Sequence, residues 1–165
     1  MLRLLNRVAW LFAMLGGLVA SLVALMTVVS IASRALTTRP IAGDFELTQF
    51  GIAVCISLCL PWCQLHGGNI IVDFFTQRAA ARTRQRLDAA GALLLAVMVA
   101  LLAWRTAVGA VGVREAGEET MILGVPLWWM YLLLAPGLGL TTLVAVIQAA
   151  LHLAGRDLKG MQQQA

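Results

Sequence analysis

Charge is scarce in this chain. Only 12% of its 165 residues are Asp, Glu, Lys or Arg, against 61% hydrophobic. A soluble domain carries about 25% charged and about 45–50% apolar residues. Small folds leave much of their area exposed, so water is excluded as the solvent for so apolar a surface. Cysteine is equally sparse: Cys55, Cys59 and Cys63 all fall in one apolar stretch, which gives no framework for extracellular disulfides. No hydrolase serine elbow, zinc signature or phosphate-cradling glycine loop is present. The net charge of +4 invites a nucleic-acid reading, but the basic segments are too short for one, and their placement points to a bilayer.

Four stretches are long enough to cross hydrocarbon, which takes about 20 residues of helix. They cover residues 8–33, 47–65, 88–111 and 126–153. Each must be helical, because lipid offers no partner for free N–H and C=O groups. Arg3, Arg7, Arg78, Arg82, Arg84, Arg86, Arg156 and Lys159 fall on one side, and Arg34, Arg39, Arg105 and Arg114 on the other. The basic excess places both termini in the cytoplasm. Asp44, Glu46, Glu115, Glu118 and Glu119 lie on the outer side. Trp10 and Trp62 fall near inner ends, and Trp104, Trp128, Trp129 and Tyr131 near outer ends, as an aromatic belt requires. The first apolar run exceeds the 7–15 residues of a signal peptide's core, so it reads as a retained anchor. The expected fold is an all-α integral membrane four-helix bundle, one membrane domain over residues 1–165.

The span centres hold no ionisable side chain on this reading, although function in a membrane usually leaves one there. A small drug/proton exchanger would need a buried carboxylate, and none is offered. Small residues recur instead: Gly16, Ala20 and Ala24; Gly17 and Ser21; Ala92, Ala96 and Ala100; Ala135 and Gly139. Such stripes let helices approach closely, either within the bundle or against a larger partner. The three cysteines share a helical face, yet no cation or fourth ligand accompanies them, so packing is preferred over a metal. A quinone-linked disulfide oxidase would need cysteine pairs in its outer loops, and there are none. His66 and His152 could ligate a haem between helices, which makes a haem- or quinone-binding redox subunit the rival reading. Both histidines fall at cytoplasmic span ends, where a polar interfacial role is preferred.

After Gly67 and Gly68, Ile70, Ile71, Phe74 and Phe75 recur at helical spacing, followed by Arg78, Arg82 and Arg86. This predicts an amphipathic helix over about residues 69–84, lying in the cytoplasmic interface against membrane lipids or bracing a partner. On the outer side, Arg34 ends the first span and Asp44 and Glu46 precede the second, so a salt bridge could fix their relative height. In Ile122-Leu123-Gly124-Val125-Pro126-Leu127-Trp128-Trp129, glycine permits the turn, Pro126 suits the first helical turn, and the tryptophans set its depth.

Taken in order, Arg34, Glu46, the His66-Gly-Gly-Asn-Ile-Ile-Val-Asp73 stretch and the Leu123-Gly-Val-Pro-Leu-Trp-Trp129 entry resemble one family. It is the small membrane subunit (DctQ type) of the TRAP transporters, the tripartite ATP-independent periplasmic transporters. The resemblance covers Leu2 to about Arg156. It implies a non-enzymatic subunit of the bacterial inner membrane, without cofactor or metal. Its implied partners are a large permease subunit of about twelve spans and a periplasmic substrate-binding protein. Uptake of carboxylate-bearing solutes would be driven by an ion gradient, usually sodium, with the substrate and ion sites in the large subunit. By position, Arg34, Glu46, His66, Asn69, Asp73 and Pro126 match recurrent family features, with structural or partner-contact roles implied. Phe74, Phe75, Trp128 and Trp129 join them as partner-interface candidates. The Gly67-Gly68 pair departs from many relatives, whose stretch has less glycine. With no further span before Ala165, the chain reads as a separately encoded small subunit. A self-sufficient homodimeric exporter is the remaining alternative.

Overall fold

Peptide groups in lipid must bond within their own segment, and the long uncharged runs accordingly form helices. The computed structural model describes residues 2–37, 41–66 and 81–153. These contain α1 (Leu2–Thr37), α2 (Asp44–Leu65), α3 (Ala81–Ala116) and α4 (Trp128–Leu153). Each holds a stretch long and apolar enough to span a membrane: Leu4–Leu36, Asp44–Leu65, Ala89–Ala116 and Trp128–Leu151. The all-α four-helix membrane bundle is therefore what the sequence folds into, and the chain is a multi-pass membrane protein. Helix ends run past the apolar cores. α1 includes Arg3 and Arg7, and α3 begins at Ala81, so residues 81–84 of the proposed interfacial helix are its first turn. The rest of that helix, with Asn69, Asp73, Phe74 and Phe75, lies outside the described residues.

Helix boundaries have local causes. Gly43, at φ 75, turns the chain into α2, and Asp44 and Glu46 occupy its first turn, where carboxylates complement the helix dipole. Gly117, at φ 64, ends α3. The Glu118 N–H then reaches back 3.2 Å to the Val113 carbonyl, closing the helix with a Schellman turn.

Order in space differs from order in sequence. α1 packs on α2, α2 on α4 and α4 on α3, while α1 touches α4 only marginally. α4 is the most enclosed helix and α1 the least. α1 and α3 are thus flanks, and each turns a row of leucines and valines outward. One end of the bundle carries the α1–α2 and α3–α4 loops (the loop end). The other carries the termini and the α2–α3 connection (the terminal end).

Close contacts set the register. A methyl group added at Gly16 would meet Cys59 Sγ at 2.7 Å, and one at Gly51 would strike Val23, which levels α1 against α2. Arg114 lies 5.3 Å over the Trp128 ring, and Gly109 faces Tyr131, which levels α3 against α4. Nine residues of helix then put Arg105 about 13 Å below Arg114 towards the terminal end. That is level with Ala135 and Pro136 of α4, opposite the stretch where Ser57 of α2 meets Leu134 and Gly137. Arg105 therefore falls near the middle of the Ala89–Ala116 span, well inside its ends. The expectation put Arg105 at the outer side, whereas the apolar span that holds it runs on to Ala116. Hydropathy misplaced it because apolar residues continue from Arg105 to Val113, leaving no break to mark the membrane edge.

Candidate functional site

Apolar packing brings these helices together, and a small set of polar bonds, all involving α2, pins them at three depths. At the loop end, the buried Ser30 hydroxyl donates to Asp44 Oδ2 at 2.6 Å, and an Arg34 guanidinium N–H reaches the same oxygen at 3.4 Å. The expected Arg34–Asp44 salt bridge is present. Its arginine is 61% exposed, and such surface pairs contribute about 0–1 kcal/mol. The shorter bond from buried Ser30 is the firmer tie between α1 and α2.

Glu46 joins a different neighbour, the α3–α4 loop. The N–H groups of Ile122 and Leu123 donate to its Oε1 and Oε2 at 2.9 and 3.2 Å. The Thr120 hydroxyl and Met121 N–H face the same carboxylate. The loop also holds itself. Thr120 N–H donates to the Val125 carbonyl, Gly124 N–H to the Thr120 carbonyl and Leu127 N–H to the Glu118 carbonyl, at 3.0–3.1 Å. Val125 N–H bonds Thr120 Oγ1 at 3.0 Å. Leu123 folds over Gly43, where a Cβ would meet its side chain at 2.5 Å. Pro126 pairs with Glu119 in an isolated antiparallel bridge. It therefore precedes α4, which begins at Trp128, and its carbonyl accepts the Trp129 N–H at 3.3 Å. Trp128 and Trp129 open α4 with their rings stacked, centroids 4.5 Å apart, and Trp129 is half exposed.

Mid-depth holds a second tie. Pro61, inside α2, has no N–H to bond the carbonyl of Ser57 four residues earlier. Gly137 brings its backbone against that carbonyl, filling space where a side chain would not fit. The Ser57 hydroxyl donates to the Leu134 carbonyl of α4 at 2.7 Å. Pro61 itself is fully buried, so the weakened turn is sealed inside the bundle.

At the terminal end the tie is a pair of buried glutamines. Gln64 Nε2 donates to Gln148 Oε1 at 2.5 Å, and Gln148 Nε2 donates to the Gln64 backbone carbonyl at 2.8 Å. Gln148 thereby caps one of the carbonyls that a helix C-terminus leaves unbonded. Ala9, Leu65 and Val144 form the apolar cluster beside this end, with Leu5 and Trp62 against it. His66 stacks on Trp62, ring centroids 3.9 Å apart, and its Nδ1 lies 3.0 Å from the Trp62 carbonyl. An exposed ring tied to its own helix does not present a bundle-facing haem ligand. The side chain of His152 is outside the described residues.

The small-residue stripes divide between two uses. Gly16 is covered by α2 and Ala96 is buried, whereas Gly17, Ala20, Ser21, Ala24, Ala135 and Gly139 are exposed. Internal packing accounts for the first group only. Cys55 and Cys59 are half-buried and Cys63 is exposed, all as free thiols. Among the described residues no cluster of His, Cys, Asp and Glu is arranged to hold a metal. Of the expected site residues, Arg34, Glu46, Pro126, Trp128 and Trp129 gather at the loop end, and His66 lies at the opposite end. Sequence reasoning missed Ser30, Ser57, Thr120, Gln64 and Gln148. Their only signal was a lone polar residue within or beside an apolar span.

The arrangement is therefore that of a braced membrane bundle, without a constellation of groups for covalent chemistry among the described residues. No curated protein and no solved structure matches the chain. A family model does match, over residues 23–155: the DctQ component of the tripartite ATP-independent periplasmic transporters. By that match over most of its length, the chain belongs to the DctQ family and is the small membrane subunit of a TRAP transporter.

Proposed function

We propose that the chain lies in the bacterial inner membrane with both termini cytoplasmic and enlarges the scaffold on which a large permease subunit moves its cargo. The complex would take up an organic acid delivered by a periplasmic binding protein, driven by an ion gradient with sodium as the coupling ion. The chain itself would catalyse no reaction.

One observation carries this reading beyond family membership: where the carboxylates are used. Moving sodium needs oxygen ligands, commonly carboxylates and carbonyls. The two carboxylates at the start of α2 are already engaged, Asp44 by Ser30 and Arg34, and Glu46 by the loop N–H groups. The charge near the middle of a described span is Arg105, a cation, which repels sodium. Ion chemistry then falls to the partner.

Co-expression with the large permease subunit tests the reading. Recovery of the two in one monodisperse species from detergent or nanodiscs is expected. If the large subunit folds and runs alone while this chain purifies separately, the scaffold role is lost.

A further inference from the structure

Arg105 is the charged side chain that falls near the middle of a candidate span, Ala89–Ala116, among the described residues. It is exposed on α3, beside Trp104, which is 68% exposed, with Leu101, Leu102 and Val108 also outward. Among the described residues it has no hydrogen bond or ion pair. Its neighbours across the α3–α4 seam, Gly109 and Tyr131, fill that seam without it.

A guanidinium at this depth needs compensation, since placing a charge in hydrocarbon is costly. Long cations near helix ends reach back to the headgroups, but geometry opposes that route here. Side chains on a helix tilt towards its N-terminus, and the N-terminus of α3 is at the terminal end. Arg105 therefore leaves the backbone pointing away from the nearer loop-end surface, deeper into the core. Among the described residues no acidic side chain is placed to compensate it.

We propose that the exposed face of α3 around Trp104, Arg105 and Val108 docks a spanning helix of the large permease subunit bearing an acidic side chain opposite Arg105. The charge argues for this occupant. A carboxylate accepts two parallel bonds from the planar guanidinium, whereas a lipid phosphate would have to be drawn more than a helix turn into the core. Trp104 supplies the broad apolar contact beside the pair. Arg105 thus sets the depth and orientation at which the two subunits meet. The inference rests on the scaffold reading and assigns it one face.

Photo-crosslinking and charge reversal in the co-expressed complex test it. A benzophenone side chain placed at Trp104 or Val108 is expected to capture the large subunit on illumination. Arg105→Glu should reduce co-purification at least tenfold, with Arg105→Lys retaining most of it. Replacing the matching acid of the large subunit by Arg should restore the Arg105→Glu complex. Because Arg105 is exposed, Arg105→Gln serves as a fold control and should leave the isolated chain monodisperse. Capture of lipid alone by both positions, with an intact Arg105→Glu complex, would overturn the assignment of this face while leaving the scaffold reading standing. Failure of the unsubstituted pair to associate would remove the scaffold reading itself.

Discussion

The two sides of α4 are sealed by different chemistry. Against α2 it presents Gly137 to the Ser57 carbonyl, accepts the Ser57 hydroxyl at Leu134, and exchanges two bonds through Gln148. Against α3 the described contacts are small and apolar: Gly109 meets Tyr131, and Ala96 lies buried at the depth of Ala145. In lipid, apolar contact gives no hydrophobic drive between helices, so close packing and interhelical hydrogen bonds must hold them. The α2–α4 seam uses both and fixes depth as well as proximity. The α3–α4 seam uses packing, with an Arg114–Trp128 contact at its loop end. The difference makes α2 and α4 the hydrogen-bonded pair, with α3 held on α4 by packing and presenting a side to the outside.

The most disruptive way to break this contrast is at Gly137. Gly137→Leu places a side chain where the Ser57 backbone already lies, and overpacking costs about 1–3 kcal/mol, more where backbone must move. Thermal unfolding of the detergent-purified chain should show a clear drop in midpoint or loss of folded material. An unchanged midpoint would mean that α2 and α4 do not approach as described.

Next in size is the glutamine pair. Gln64→Ala, Gln148→Ala and the double variant form a cycle whose coupling should fall at about 0.6–1.7 kcal/mol, the range for interhelical bonds in membranes. Additive effects would show that the two side chains do not bond. The smallest effects belong to α3. Gly109→Ala brings a methyl to 3.1 Å from the Tyr131 ring, and a ring can shift, so a loss under about 1 kcal/mol is expected. Gly112 has no neighbour within 4 Å, so Gly112→Ala should be neutral or stabilise by about 0.5–1 kcal/mol through helix propensity. A large loss at Gly112 in the isolated chain would contradict an open face on α3.

Much of this was legible because hydropathy and charge act locally. Four spans follow from runs of apolar residues, and Arg34 and Asp44 are close enough in sequence for their bridge to be inferred. What was hidden depends on register between distant segments. Glu46 meets a loop 76 residues away, and nothing in either segment alone announces the other. Gln64 and Gln148 look like unremarkable polar residues at span ends until the two helices lie side by side. Arg105 was misread for the same reason. Its depth is set by Gly109 and Arg114 meeting α4, and the apolar run around it continues to Val113. Pro126 was expected inside the helix on residue preference alone, whereas α4 begins at Trp128.

The exposed small residues and the unpaired Arg105 follow one logic. Residues that look surplus inside this chain lie on faces that its own helices leave open, on α1, α3 and α4 alike.

Gradient-driven uptake in proteoliposomes tests the central claim most directly. Vesicles would carry this chain alone, the large permease subunit alone, or both, with the periplasmic binding protein and its organic acid supplied outside. The account predicts no flux from this chain alone and sodium-driven flux from the pair, which falls when this chain is left out. Flux through this chain alone, or undiminished flux through the large subunit without it, would contradict the claim that the bundle supports transport without performing it.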